Sequence, residues 1–116
     1  MSDEIKRIKQ VDRKSVEAKE VLPGIYRQTL SWNEEAMTCH FLLSKGAAIP
    51  LHKHPAVQSG YVLRGRVRFQ RGDAGETFIA EAGTSYVFDG EEEHAVEVLE
   101  ETEIIEFFTP MRPEYC

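Results

Sequence analysis

The stretch that decides the reading runs Gly46-Ala47-Ala48-Ile49-Pro50-Leu51-His52-Lys53-His54-Pro55-Ala56-Val57-Gln58-Ser59-Gly60-Tyr61-Val62-Leu63-Arg64-Gly65. His52 and His54 stand two residues apart in a run that otherwise reads as a strand, and a period of two puts both on one face. In 58–63 the face that carries Gln58 also carries Gly60 and Val62, and in 94–98 the face of His94 also carries Val96 and Val98. Each donor therefore begins an apolar, inward-looking face. A polar group there is costly unless it is paired or ligated, and neutral imidazoles around a divalent cation meet that requirement. His52, His54, Gln58 and His94 are thus a candidate metal-ligand set. Taken alone, His52 and His54 also read as surface residues of a loop between Pro50 and Pro55. Gln58 also reads as a hydrogen bonder beside a site of three histidines.

Working outward, the helical period is absent from Val21 onward, and apolar and polar residues alternate in short runs cut by Gly, Pro and Asp. The runs predict strands over 25–32, 37–44, 49–54, 58–63, 67–70, 76–79, 85–88, 95–99 and 103–108. So many short strands suggest a sandwich or barrel, and the expected fold class is all-β. Turn signals separate them, among them Asn33-Glu34-Glu35, Arg64-Gly65-Arg66, Arg71-Gly72-Asp73-Ala74-Gly75 and Asp89-Gly90. Residues 1–20 are charged and lack Pro and Gly, which suggests an N-terminal arm, helical or frayed, that docks on a partner subunit. Residues 21–116 form the barrel domain. Its tail, 109–116, holds Pro110 and Pro113 and is expected to wrap the barrel as irregular chain.

A chain of 116 residues is the size of one domain. Twenty acidic against fourteen basic residues give a net charge of −6, which argues against a nucleic-acid partner. Residues 1–10 lack the apolar core of a signal peptide, and no stretch approaches the roughly 20 apolar residues of a membrane helix. Cys39 and Cys116 make neither a disulfide framework nor a zinc finger. A cytoplasmic protein without membrane or nucleic-acid partners is expected.

In 103–108, alternation puts Ile104, Glu106 and Phe108 on one face and Glu103, Ile105 and Phe107 on the other. If the first face is interior, Glu106 is a buried carboxyl beside the metal, available for acid/base work. If the second is interior, Glu106 is solvated. Parity alone leaves both open. His40 shares a face with Thr38 and Leu42 and reads as a structural or surface residue.

The long spacing, Gly46, five residues, His52, one, His54, three, Gln58, six, Gly65, resembles the first motif of the cupin superfamily. Gln58 stands where that family more often has Glu. Residues 83–94, from Gly83 to His94, resemble the second motif, with Asp89 in place of Pro, Glu91 in place of Gly, and Val98 in place of Asn. The resemblance implies a single-domain cupin, a double-stranded β-helix or jelly-roll-like barrel, with one divalent transition metal: iron, nickel, manganese, copper or zinc. A neutral amide in place of a carboxylate leaves the ion's double charge uncompensated, which makes a stronger Lewis acid.

Glu106-Phe107-Phe108-Thr109-Pro110-Met111-Arg112, taken with His52 to Gln58 and Gly60 to Gly65, resembles the small cupins of the pectin-degradation KdgF family. That resemblance implies three His and a Gln as metal ligands and conversion of 4,5-unsaturated uronates from pectin or alginate breakdown to linear keto sugars. The family's acidic residue, often Asp, falls on Glu106, its aromatic on Phe108 and its substrate-carboxylate Arg on Arg112. Ala56-Val57 stands where polar His-Glu is common. Glu106 is then the proton carrier, Arg112 the fork for the carboxylate of an anionic sugar acid, and Phe108 the surface against the sugar ring. Three-His cupins also include iron-dependent dioxygenases, and a barrel that only binds a sugar acid or another small ligand is a third class. Small cupins commonly pair through an outer sheet face, and Tyr61 and Leu63 offer apolar area for a homodimer.

Overall fold

Among the described residues, alternation becomes eight strands: β1 Lys19–Leu22, β2 Ile25–Trp32, β3 Met37–Leu43, β4 Ala48–His52, β5 Val57–Arg71, β6 Glu76–Glu81, β7 Ser85–Phe88 and β8 His94–Thr109. The computed structural model describes residues 7–116. β5 and β8 are the spine, paired antiparallel from Val57 with Thr109 to Arg71 with His94. The first half of β5 is flanked by β7, and the second half of β8 by β3, which carries β2 and β1 in turn. The other halves carry β6 and β4. One sheet is thereby bent into two layers, β7-β5-β8-β3-β2-β1 and β6-β5-β8-β4, which is the jelly-roll-like barrel expected.

The bend is built by a bulge. Pairing of β5 with β8 slips between Val62 and Val67, and the buried positions change from Gln58, Gly60 and Val62 to Val67 and Phe69. Gly65 makes this possible with φ of 99°, and a Cβ there would lie 2.3 Å from the Glu101 carbonyl oxygen. Opposite it, buried Thr102 Oγ1 accepts from the Arg66 N–H at 2.9 Å and donates to the Glu100 carbonyl at 2.7 Å. These bonds satisfy groups that the broken ladder would leave unpaired.

Inside, Phe69 packs with Tyr86 and Phe88 at ring distances of 4.5 and 5.4 Å, which ties the two layers together. Val62, Val67, Val98, Ile104 and Phe108 fill the space around them.

Three expectations change. Arg64-Gly65-Arg66 is a bulge within one strand, so 58–63 and 67–70 are both β5, and 95–99 and 103–108 are both β8. The strand expected over 49–54 ends at His52, two residues short, because the chain turns at Lys53 to Pro55. β1 begins at Lys19, inside the stretch read as an arm; every residue of it is exposed, so alternation gave no signal. Ahead of it, among the described residues, lie a short turn, Arg13–Ser15, and a bridge from Ile8 to Trp32. Residues 1–6 of that arm lie outside the described residues. Among the described residues no helix is long and apolar enough to cross a membrane.

Candidate metal centre

His52 ends β4 and His94 begins β8, and the two are paired in register across the ladder. His54 follows in the turn. The side-chain donor atoms of His52, His54 and His94 lie within 4.8 Å of one another. Each ring is held by its back nitrogen: Nδ1 of His52, His54 and His94 lies 2.9 Å from the carbonyls of Pro50, Ala56 and Glu92 respectively. A carbonyl only accepts, so each Nδ1 carries a proton and each ring turns its Nε2 inward. Phe88 stacks on His94 at 4.4 Å and 8°, fixing that ring's plane.

Gln58 is buried at the start of β5, where its register partners are Phe88 and Phe108. Its Nε2 donates to Glu106 Oε2 at 2.7 Å, which fixes the amide orientation and turns Oε1 to the histidines. That oxygen lies 2.9 Å from His54 Nε2 and 3.2 Å from His94 Nε2. With the protons on Nδ1, these are contacts between acceptors. A divalent cation among the three imidazoles and the amide removes the conflict, so the donor set fits a metal. Burial is the leading cause that holds His54 below the ordinary histidine value and lowers His94 to about 4, so both rings are neutral at pH 7.

Glu106 faces inward, which settles the parity of the last strand: Ile104, Glu106 and Phe108 are buried and Phe107 is exposed. Glu106 Oε2 also accepts from the Tyr86 hydroxyl at 2.5 Å. Tyr86, Gly60 and Glu106 are in register across β7, β5 and β8. The Tyr86 ring reaches Glu106 over Gly60, where a Cβ would meet the ring at 2.3 Å. Burial raises the Glu106 pKa, and the bonds from Tyr86 and Gln58 and the charge of Arg112 only partly offset it.

A cavity of about 90 Å³ opens beside these groups, with His52, Gln58, Glu106, Arg112 and Tyr115 among its lining. Arg112 Nη1 donates to the Tyr115 hydroxyl at 2.7 Å, while Nε and Nη2 donate to Glu114 at 3.1 and 3.0 Å. Phe108 stands apart. It is 1% exposed and outside the cavity lining, lying 5.2 Å beneath the Arg112 guanidinium carbon and edge-on to Tyr115. His40 is buried on the opposite sheet face, with Nε2 2.8 Å from Glu103 Oε2. Tyr86 and Tyr115 were not singled out from the sequence. Gly60, two residues from Gln58, was the available sign of the first, because it marks where another side chain crosses the strand.

The bent sheet and its three-imidazole mouth define a small jelly-roll barrel with a donor set that fits a metal. The Cupin domain profile matches residues 39–109, and the chain belongs to the cupin family. Solved structures of the same fold include an RmlC-like cupin from Shewanella frigidimarina NCIMB 400, 24% identical over 92% of this chain and 95% of that one, TM-score 0.86. KdgF from Halomonas sp. is 24% identical over 93% of this chain and 97% of that one, TM-score 0.84. The polyketide cyclase RemF from Streptomyces resistomycificus is 22% identical over 91% and 82%, TM-score 0.74. At these identities the likeness is one of fold. No curated protein matches the sequence.

The folded protein binds fewer protons at His94 than the unfolded chain, whose histidines titrate near about 6.5. The contribution of His94 to stability is therefore intact above that pH and lost as pH falls toward about 4. Urea unfolding of the metal-free protein is expected to lose stability more steeply across this window than that of His94→Gln. Equal slopes would contradict the burial argument.

Proposed function

We propose that this cupin binds a divalent transition metal through His52, His54, Gln58 and His94 and opens and ketonises a 4,5-unsaturated uronate. The observation that carries the reading is a single cavity in which a buried carboxyl, Glu106, faces Arg112 and is joined by the Gln58 amide to the imidazoles of His54 and His94. A bound divalent ion would supply Lewis-acid stabilisation of negative charge on oxygen.

Arg112 holds the substrate carboxylate in a planar fork, exchanging its Glu114 partner for the ligand. Glu106 accepts the proton of the anomeric hydroxyl. As the bond from the anomeric carbon to the ring oxygen breaks, its electron pair stays on that oxygen and an enolate forms. Glu106 then returns the proton to carbon 4, giving the ketone, so the sequence is an isomerisation that needs neither water nor oxidant. Burial suits Glu106 to this, because a carboxyl whose pKa is raised is the stronger base when ionised and holds the proton more readily for its return. Tyr86 and Gln58 keep its Oε2 fixed, leaving Oε1 to face the substrate. Tyr115, rather than the deeper Phe108, offers the aromatic surface toward a sugar ring.

The outer face of the same layer exposes Val57, Tyr61 and Leu63 on β5, Val87 on β7 and Phe107 on β8. This patch is read as the contact of a homodimer, with each copy presenting the same face.

In an anaerobic assay of metal-reconstituted protein with 4,5-unsaturated galacturonate, loss of the conjugated ultraviolet absorbance is expected to outrun the spontaneous rate. Glu106→Gln is expected to lower kcat by about 100-fold or more with metal content unchanged. No acceleration by the native chain, or full turnover by the variant, would overturn the reading. Light scattering at micromolar concentration is expected to give twice the chain mass, falling to one chain mass for Phe107→Lys. A monomeric native protein would remove the dimer.

A further inference from the structure

Among the described arginines, Arg27 alone has a side chain that makes neither a hydrogen bond nor an ion pair. Arg7, Arg64, Arg66, Arg68, Arg71 and Arg112 each pair with a glutamate, and Arg13 donates to Gln28. Most of those are surface residues, whereas Arg27 is 9% exposed and its Nε is wholly buried without a partner. Its guanidinium carbon lies 4.1 Å from the centre of the Tyr115 ring. A ring face attracts the charge but accepts none of the in-plane N–H groups, so the buried Nε–H remains unmatched and the Nη groups, which are not fully buried, have no protein acceptor. A buried donor in that condition is costly.

The neighbourhood supplies a reason to tolerate the cost. A cavity of about 180 Å³, distinct from the metal cavity, is lined by Arg27, Lys19, Thr29, Glu17, Val16 and Tyr115 together with Cys116. The register of β1 on β2 sets Lys19 directly opposite Arg27, which places two like charges side by side on one face. Thr29 Oγ1 donates to the Tyr115 carbonyl at 2.6 Å and so fixes the tail that forms the wall. Tyr115 is shared: Arg112 lies 4.0 Å from its ring centre on the metal cavity, and Arg27 lines the other.

We propose that Arg27 and Lys19 form a second anion site, behind Tyr115, that takes the carboxylate of a small organic acid. The guanidinium fork matches a planar carboxylate, and Lys19 supplies a second cation at the rim. Among the side chains of the lining, Arg27 and Lys19 face a single carboxylate, Glu17. Val16 and the Tyr115 ring give apolar contact to a short carbon chain. The site is independent of the metal reading, because none of its ligand-facing groups other than the shared Tyr115 wall borders the metal cavity.

The test is titration of the full chain, labelled with ¹⁵N-arginine, with sodium propionate at ionic strength held constant by chloride. The Arg27 Nε–H resonance, assigned by its absence in Arg27→Gln, is expected to move saturably with a low-millimolar midpoint. Lys19→Gln, a change at an exposed position that leaves the core untouched, is expected to weaken binding at least threefold. His94→Ala is expected to leave the midpoint unchanged, which separates this site from failure or success of the ring-opening reaction. A resonance that does not move, a shift linear in propionate, or a midpoint indifferent to Lys19→Gln would overturn the proposal. Inorganic phosphate is expected to bind at least threefold more weakly, and tighter phosphate binding would overturn the carboxylate assignment.

Discussion

The amide of Gln58 has an accepting end and a donating end, and the barrel mouth engages both. Its NH₂ group meets the Glu106 carboxyl, and its oxygen meets the inward nitrogens of His54 and His94. Turned over, the same amide would present oxygen to carboxyl and leave a donor where a cation belongs. A glutamate at this position would set one carboxyl against another in a buried space, where like charges resist joint ionisation. Glutamine instead leaves the centre neutral and gives the single acidic group to β8, one side chain further into the cavity. In the proposed reaction, metal affinity and acid/base chemistry fall to adjacent side chains.

That division depends on strand register. Gln58 and Gly60 on β5 lie between β7 and β8, so Tyr86 and Glu106 approach each other across the strand that also carries the proposed metal ligand. Gly60 leaves the gap through which the Tyr86 hydroxyl passes. A buried carboxyl without donors is costly, and Tyr86 and Gln58 supply two. Burial still dominates, so Glu106 remains a weaker acid than a solvated one.

The parts legible in the sequence are those set by local periodicity. Alternation placed Gln58 and Val62, and His94 and Val98, on inner faces, and the histidine spacing named three rings that do converge. The inward side of the last strand was not decidable, because Ile104 and Phe108 balance Ile105 and Phe107. Features set by neighbours from other strands were hidden. Gly65 in a charged Arg64-Gly65-Arg66 reads equally as a turn or a bulge, and only the register with β8 distinguishes them. Tyr86 in a short apolar run reads as core, because its partner is two strands away. Phe108 reads as a cavity aromatic until the tail folds back and Tyr115 takes that position. Arg27 gave no sign at all, since an arginine at an inner strand position is distinguished only by the cavity beside it.

The central claim is that one amide joins the metal centre to the carboxyl, and diffraction from zinc-loaded crystals at the zinc edge tests it most directly. The account predicts one anomalous peak at about 2.0–2.2 Å from Nε2 of His52, His54 and His94 and from Gln58 Oε1, with Gln58 Nε2 still bonded to Glu106. A peak elsewhere, or an ion held with Gln58 turned away from either partner, would contradict it.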